Sequence, residues 1–91
     1  MTVKSMVDVT LENLVELVIK SGAGAKMPPQ DVLAKQFSVS RTVLREALVV
    51  LEYLKVLHVR PKIGTTVNAL DQWKTRNHDI IEWRARAEGK A

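Results

Sequence analysis

Residues 40–48 read Ser-Arg-Thr-Val-Leu-Arg-Glu-Ala-Leu, SRTVLREAL. The run opens with a serine, the kind of residue that caps a helix N-terminus through its hydroxyl. Beyond it the apolar residues recur at helical spacing. Val43, Leu44, Ala47, Leu48, Val50, Leu51 and Leu54 fall on one broad side, and Arg41, Thr42, Arg45, Glu46, Val49 and Glu52 on the other. The pattern predicts a helix from Ser40 to about Leu54. Arg41, Thr42 and Arg45 then share a face at its N-terminus, where free N–H groups and the helix dipole favour phosphate. Two arginines four residues apart are equally at home on the wet side of any surface helix. The flanking sequence has to decide between these readings.

Upstream, Leu11, Leu14, Val15, Val18 and Ile19 follow one buried helical face. They predict a helix over Thr10–Lys20 with Thr10 as N-cap and Ser21-Gly22 as the stop. Gly22–Lys26 reads as a flexible connector. Pro28-Pro29 suits the first turn of a helix, because the missing N–H would have no partner there. Gln30–Phe37 follows as a short helix with Val32, Leu33 and Phe37 inward, and Ser38-Val39 is a tight break before Ser40.

Downstream, Leu57–Arg60 and Thr65–Asn68 read as two short strands rich in Val and Thr, joined by Pro61-Lys62-Ile63-Gly64. The hairpin tip carries Lys62 with Arg60 beside it. Asp71–Ala87 predicts a last helix. Its large apolar residues Trp73, Ile80, Ile81 and Trp83 form no single stripe, which allows a bend or two short helices. Two tryptophans here require a packing partner: the domain itself or a further domain.

The chain has 91 residues, enough for one small domain. No cysteine is present, which excludes disulfide scaffolds, thiolate metal sites and cysteine nucleophiles. The two scattered histidines, His58 and His78, suggest neither a metal site nor a Ser-His-Asp set, and no cofactor is expected in this chain. The N-terminus has no apolar signal-like core and no stretch is long enough to cross a bilayer, so the expectation is a cytoplasmic protein without membrane contact. Net charge is +4 and the pI about 9.7, which favours an anionic partner. The excess is local. Residues 1–40 hold four basic and four acidic side chains, residues 41–67 five and two, and residues 68–91 five and four. The surplus therefore lies between SRTVLREAL and the hairpin.

Three helices followed by a basic hairpin are the order of a winged helix-turn-helix, a mainly α fold with a small β-hairpin. Its third helix fits the major groove, where arginine takes guanine O6 and N7 together. Ser40 and Thr42 can donate to phosphates, with Arg41 and Arg45 on base edges. Arg60 and Lys62 can follow the backbone or dip into the minor groove, and Gly64 and Thr65 can bring wing backbone close to DNA. A second reading is a winged helix that binds protein, with Trp73 and Trp83 as anchors.

Three stretches in this order resemble the GntR family of bacterial transcription regulators. Ser40–Leu48 is similar to the family core S-R-x-x-V-R-E-A-L. Met27–Ala34, MPPQDVLA, resembles L-P-S-E-x-x-L-A, and Arg60–Val67, RPKIGTTV, resembles the wing ending G-T-x-V. The resemblance covers roughly residues 20–68 and implies a winged helix that binds a near-palindromic operator in double-stranded DNA as a homodimer. By position, Ser40, Arg41, Thr42 and Arg45 match the recognition helix, and Lys62 and Gly64 the wing. Pro29 and Gln30 replace the usual Ser and Glu. Asp31 stands where some relatives carry a DNA-touching arginine, and Lys55 where a glycine is common.

The tail 71–83, DQWKTRNHDIIEW, resembles the segment after the wing in the subfamily with an all-helical effector domain, the galactonate and fatty-acid type. That implies a winged helix over residues 1–68 and a linker helix over 69–91 leading to an effector domain absent from these 91 residues. It also implies a repressor of a catabolic operon, released by a small carboxylate, and no enzymatic activity.

Overall fold

The computed structural model describes residues 5–74 and 78–89. Helix α1 spans Met6–Ser21, α2 Gln30–Phe37 and α3 Arg41–Tyr53; strands β1 (Leu57–Arg60) and β2 (Gly64–Val67) form an antiparallel hairpin, and α4 spans His78–Gly89. This is the winged helix-turn-helix arrangement.

Helix α1 begins four residues before the expected start. Ser5 is the N-cap, in a reciprocal capping box: the Asp8 N–H donates to Ser5 Oγ at 3.1 Å and the Ser5 N–H to Asp8 Oδ2 at 3.3 Å. Thr10 is not a cap. It is fully buried on the inner face with Leu14 and Val18, and its hydroxyl donates to the Met6 carbonyl at 2.7 Å. A back-bonded threonine hides its polarity inside a helix.

Helices α2 and α3 have the expected bounds. Pro29 caps α2 without a side-chain hydrogen bond. Leu33 and Ala34 are buried and Phe37 half-buried, but Val32 points to solvent. Ser38, at φ 55°, turns the chain through a left-handed conformation into α3. There Ser40 Oγ accepts from the Val43 N–H at 3.1 Å, while Leu44, Ala47, Leu48 and Leu51 enter the core.

The segment 22–26 is not a flexible connector. The Gly24 N–H donates to the Val67 carbonyl, the Val67 N–H to Ala25 and the Met27 N–H to Thr65, each at 2.8 Å. Lys26 thus forms a single antiparallel bridge to Thr66 along the outer edge of β2. Strand β2 starts at Gly64, one residue before expectation, because Gly64 pairs with Arg60. The loop is then Pro61-Lys62-Ile63, closed by the Ile63 N–H on the Arg60 carbonyl at 3.1 Å. Proline second and a positive φ third, 69° at Lys62, is the pattern of a type II turn.

The tail is not one continuous helix. Leu70–Gln72 is a 3-10 turn, and α4 begins at His78; residues 75–77, 90 and 91 of the expected linker lie outside the described residues. The segment folds back on the domain. Trp73, Ile80 and Trp83 are buried in the same core as Leu14, Leu44 and Leu51, and α4 packs on α1. The Trp73 indole N–H donates to the Asn68 carbonyl at 3.1 Å, and the Lys74 N–H to Leu54 at 2.8 Å.

Candidate nucleic-acid interface

The N-terminus of α3 differs from those of the other helices. α1, α2 and α4 each carry an acid in the first turn, Asp8, Asp31 and Asp79, as the helix dipole favours. The first turn of α3 has none and begins with Arg41 instead. A cation there opposes the dipole and costs about 0.3–1 kcal/mol. Ser40, Arg41, Thr42 and Arg45 are all exposed. The result is an open helix end with N–H donors and two guanidinium groups, suited to an external anion.

Neither arginine is held by an acid among the described residues. Among the described residues no ion pair joins Arg41 or Arg45 to Glu46, which is itself exposed. Along α4 the arginines are paired instead. Arg84 meets Glu88 at 3.0 Å and Arg86 meets Glu82 at 3.7 Å, which commits those cations to their own helix. Exposed pairs of this kind add only about 0.3–0.5 kcal/mol each to the helix.

The wing contributes the second part. Arg60 and Lys62 are exposed at its tip. Gly64 and Thr65 are half-buried and less available than expected. The Thr65 carbonyl accepts from Met27, and the Lys26 side chain lies against the α-carbon of Gly64. Gly64 has a φ of 116°, so the turn itself requires glycine there. Between the wing and helices α2 and α3 runs a groove of about 510 Å³, with Met27, Leu33 and Leu48 in its lining and Lys26, Arg60 and Lys62 as its cations. Among the described residues no acid lines it. Lys26 received no role from the sequence; only its pairing with β2 brings it to this groove.

Two further expectations are resolved by burial. Asp31 is exposed in the first turn of α2, so that helix end meets solvent with a negative charge. Trp73 and Trp83 are only 4% and 7% exposed and cannot serve as anchors for a protein partner. No described helix is long and apolar enough to cross a membrane.

A helix-turn-helix with a basic wing and a third helix whose first turn carries no acid defines a class of regulator. The pattern of the bacterial regulatory proteins, gntR family, matches residues 11–67, and the chain belongs to that family: it is the DNA-binding domain of a transcription regulator, not an enzyme. It is 32% identical over 82 residues to the uncharacterized HTH-type transcriptional regulator YieP of Escherichia coli K12, covering 88% of this chain and 36% of that protein. It is 36% identical over 66 residues to the Uxu operon transcriptional regulator of the same organism, covering 70% and 25%. The chain thus spans about a third or less of the length of these relatives. The fold is shared with Streptococcus agalactiae BusR, whose structure is in complex with its busAB-promotor DNA. The TM-score is 0.66 at 17% identity, over 97% of this chain and 48% of that one.

Proposed function

We propose that this domain reads a specific operator and serves a cytoplasmic repressor of a catabolic operon. Helix α3 enters the major groove. Arg41 and Arg45 take base edges, Ser40 and Thr42 fix phosphates, and Arg60 and Lys62 hold the backbone beside the wing. The observation that carries this reading is the first turn of α3. It has no acid and opens with Arg41, and neither Arg41 nor Arg45 has an acidic partner among the described residues. A purely structural helix gains stability from the opposite arrangement.

Two copies bind a near-palindromic operator, with half-sites set by the two-fold axis. Residues 1–68 form the reading head. Residues 69–91 lead to an effector domain outside this chain, where a small carboxylate releases the repressor. The short span of the chain against its relatives supports this division. The protein-interaction reading has lost its anchors, since both tryptophans are used in the core.

The test is a titration of the chain against its own promoter DNA and a scrambled duplex at two salt concentrations. Promoter binding should be tighter and should weaken steeply with salt. Arg45→Ala should cost about 1–3 kcal/mol on the operator and little on the scrambled duplex. Equal losses on both would remove Arg45 from base reading.

A further inference from the structure

We propose that Lys26 is a phosphate contact of the wing, a third cation supplied by the segment before α2. This rests on the DNA-binding reading above and adds a residue to it.

Three observations converge on Lys26. Its backbone is fixed on both sides, by the Val67 N–H on Ala25 and the Met27 N–H on Thr65. That register sets Lys26 opposite Thr66, which is itself opposite His58. Side chains directly across a ladder share a face, and alternate residues of a strand return to it. Lys26 therefore lies on the face that also carries Arg60 and the bare α-carbon of Gly64.

The side chain then runs toward the tip. A Cβ placed on Gly64 would lie 3.0 Å from Lys26 Cε and 3.8 Å from Nζ. The aliphatic stem thus crosses Gly64, next to the last pair of the hairpin, Arg60 and Gly64. The missing side chain of Gly64 provides the passage. Finally, Lys26, Arg60 and Lys62 line one groove without an acid, and Lys26 has no ion pair among the described residues.

A compact ammonium in such a place suits a phosphate oxygen, which needs charge rather than a planar fork. The competing explanation is that Lys26 only blunts the free edge of the small sheet, a common use of lysine. Edge cover needs no phosphate, so salt dependence separates the two.

The experiment measures binding of the chain to a mixed-sequence duplex by fluorescence anisotropy between roughly 50 and 200 mM salt. Lys26→Gln keeps the backbone bridge and most of the stem but removes the charge. Its slope of log affinity against log salt should fall by about 0.9, so that it loses about 3.5-fold less affinity than the parent across that range. Lys26→Arg should keep the parental slope, as should Lys20→Gln in the last turn of α1. Thermal melting confirms that each variant is folded. A parental slope in Lys26→Gln, with the parent steep, would reduce Lys26 to edge cover and leave the DNA reading intact. A slope lost equally in Lys26→Arg would also overturn the proposal. A flat parent would overturn the DNA reading itself.

Discussion

Replacing Ser40 by aspartate separates the two jobs given to the start of α3. Ser40 sits in extended backbone, at φ −72° and ψ 160°, with Oγ 3.1 Å from the Val43 nitrogen. Aspartate caps as well as serine does, so the hydrogen bond survives the change. Its charge adds about 0.3–1 kcal/mol of dipole stabilisation to a first turn that has no acid. Ser40→Asp should therefore melt at or above the parent. Ser40→Ala should lose about 1 kcal/mol, or about 4–8 °C for a domain this size. DNA binding should respond differently. A carboxylate about 4 Å from a phosphate costs about 1 kcal/mol in bulk water and about 4 kcal/mol at a partly desolvated interface. Taking about 2 kcal/mol, Ser40→Asp should bind roughly 30-fold more weakly while being no less stable. The assay pairs thermal melting by circular dichroism with anisotropy titration of an operator duplex. Ser5→Asp, at the matching cap of α1, is the control and should leave affinity unchanged. Full affinity in Ser40→Asp would mean that no phosphate approaches this helix end, and the assigned orientation of α3 would be wrong.

Two more perturbations follow from the geometry. Lys62 holds a φ of 69° where a type II turn prefers glycine, so Lys62→Gly should raise the melting temperature by an amount equivalent to about 0.5–1 kcal/mol. The same variant should lower the salt slope by about 0.9; a slope that stays put would take Lys62 off the phosphate backbone. Trp83→Ala empties the contact between α4 and α1 and should cost about 3–5 kcal/mol in thermal melting. A loss below about 1 kcal/mol would show instead that α4 unfolds separately from the rest.

Much of this architecture is written in local pattern. The bounds of α3 follow from Ser40 and the apolar spacing behind it, because capping and amphipathicity act within a few residues. Lys55 illustrates the reach of the resemblance: it stands where a glycine is common, and it takes the left-handed φ of 63°. The misreadings share a cause. Thr10 looked like a cap because its hydroxyl is polar, but the capping box lies one turn earlier and the hydroxyl bonds within its own helix. Gly22–Lys26 reads as flexible because glycine and alanine fill it; its order comes from Val67 and Thr65, some forty residues away. Non-local pairing leaves no periodic trace in a five-residue segment. That is also why no local pattern marks Lys26, whereas helical spacing marks Arg41 and Arg45 and the turn marks Arg60 and Lys62. Gly64 was legible as a requirement but not for its surroundings, since the side chain that crosses it comes from another part of the chain.

The joint at Asn68 gives the domain a mechanical property. The Asn68 N–H donates to Val56 at 3.0 Å, its side-chain amide to Lys55 at 2.9 Å, and its carbonyl accepts the Trp73 indole at 3.1 Å; the Lys74 N–H meets Leu54 at 2.8 Å. These four bonds tie the last carbonyls after α3, the root of the wing and the start of the tail at one point. At about 0.5–1.5 kcal/mol each, breaking all four costs about 2–6 kcal/mol. A pull on the chain at Lys74 therefore arrives at the foot of α3 and at the base of the hairpin together, so that the two elements turn as one lever.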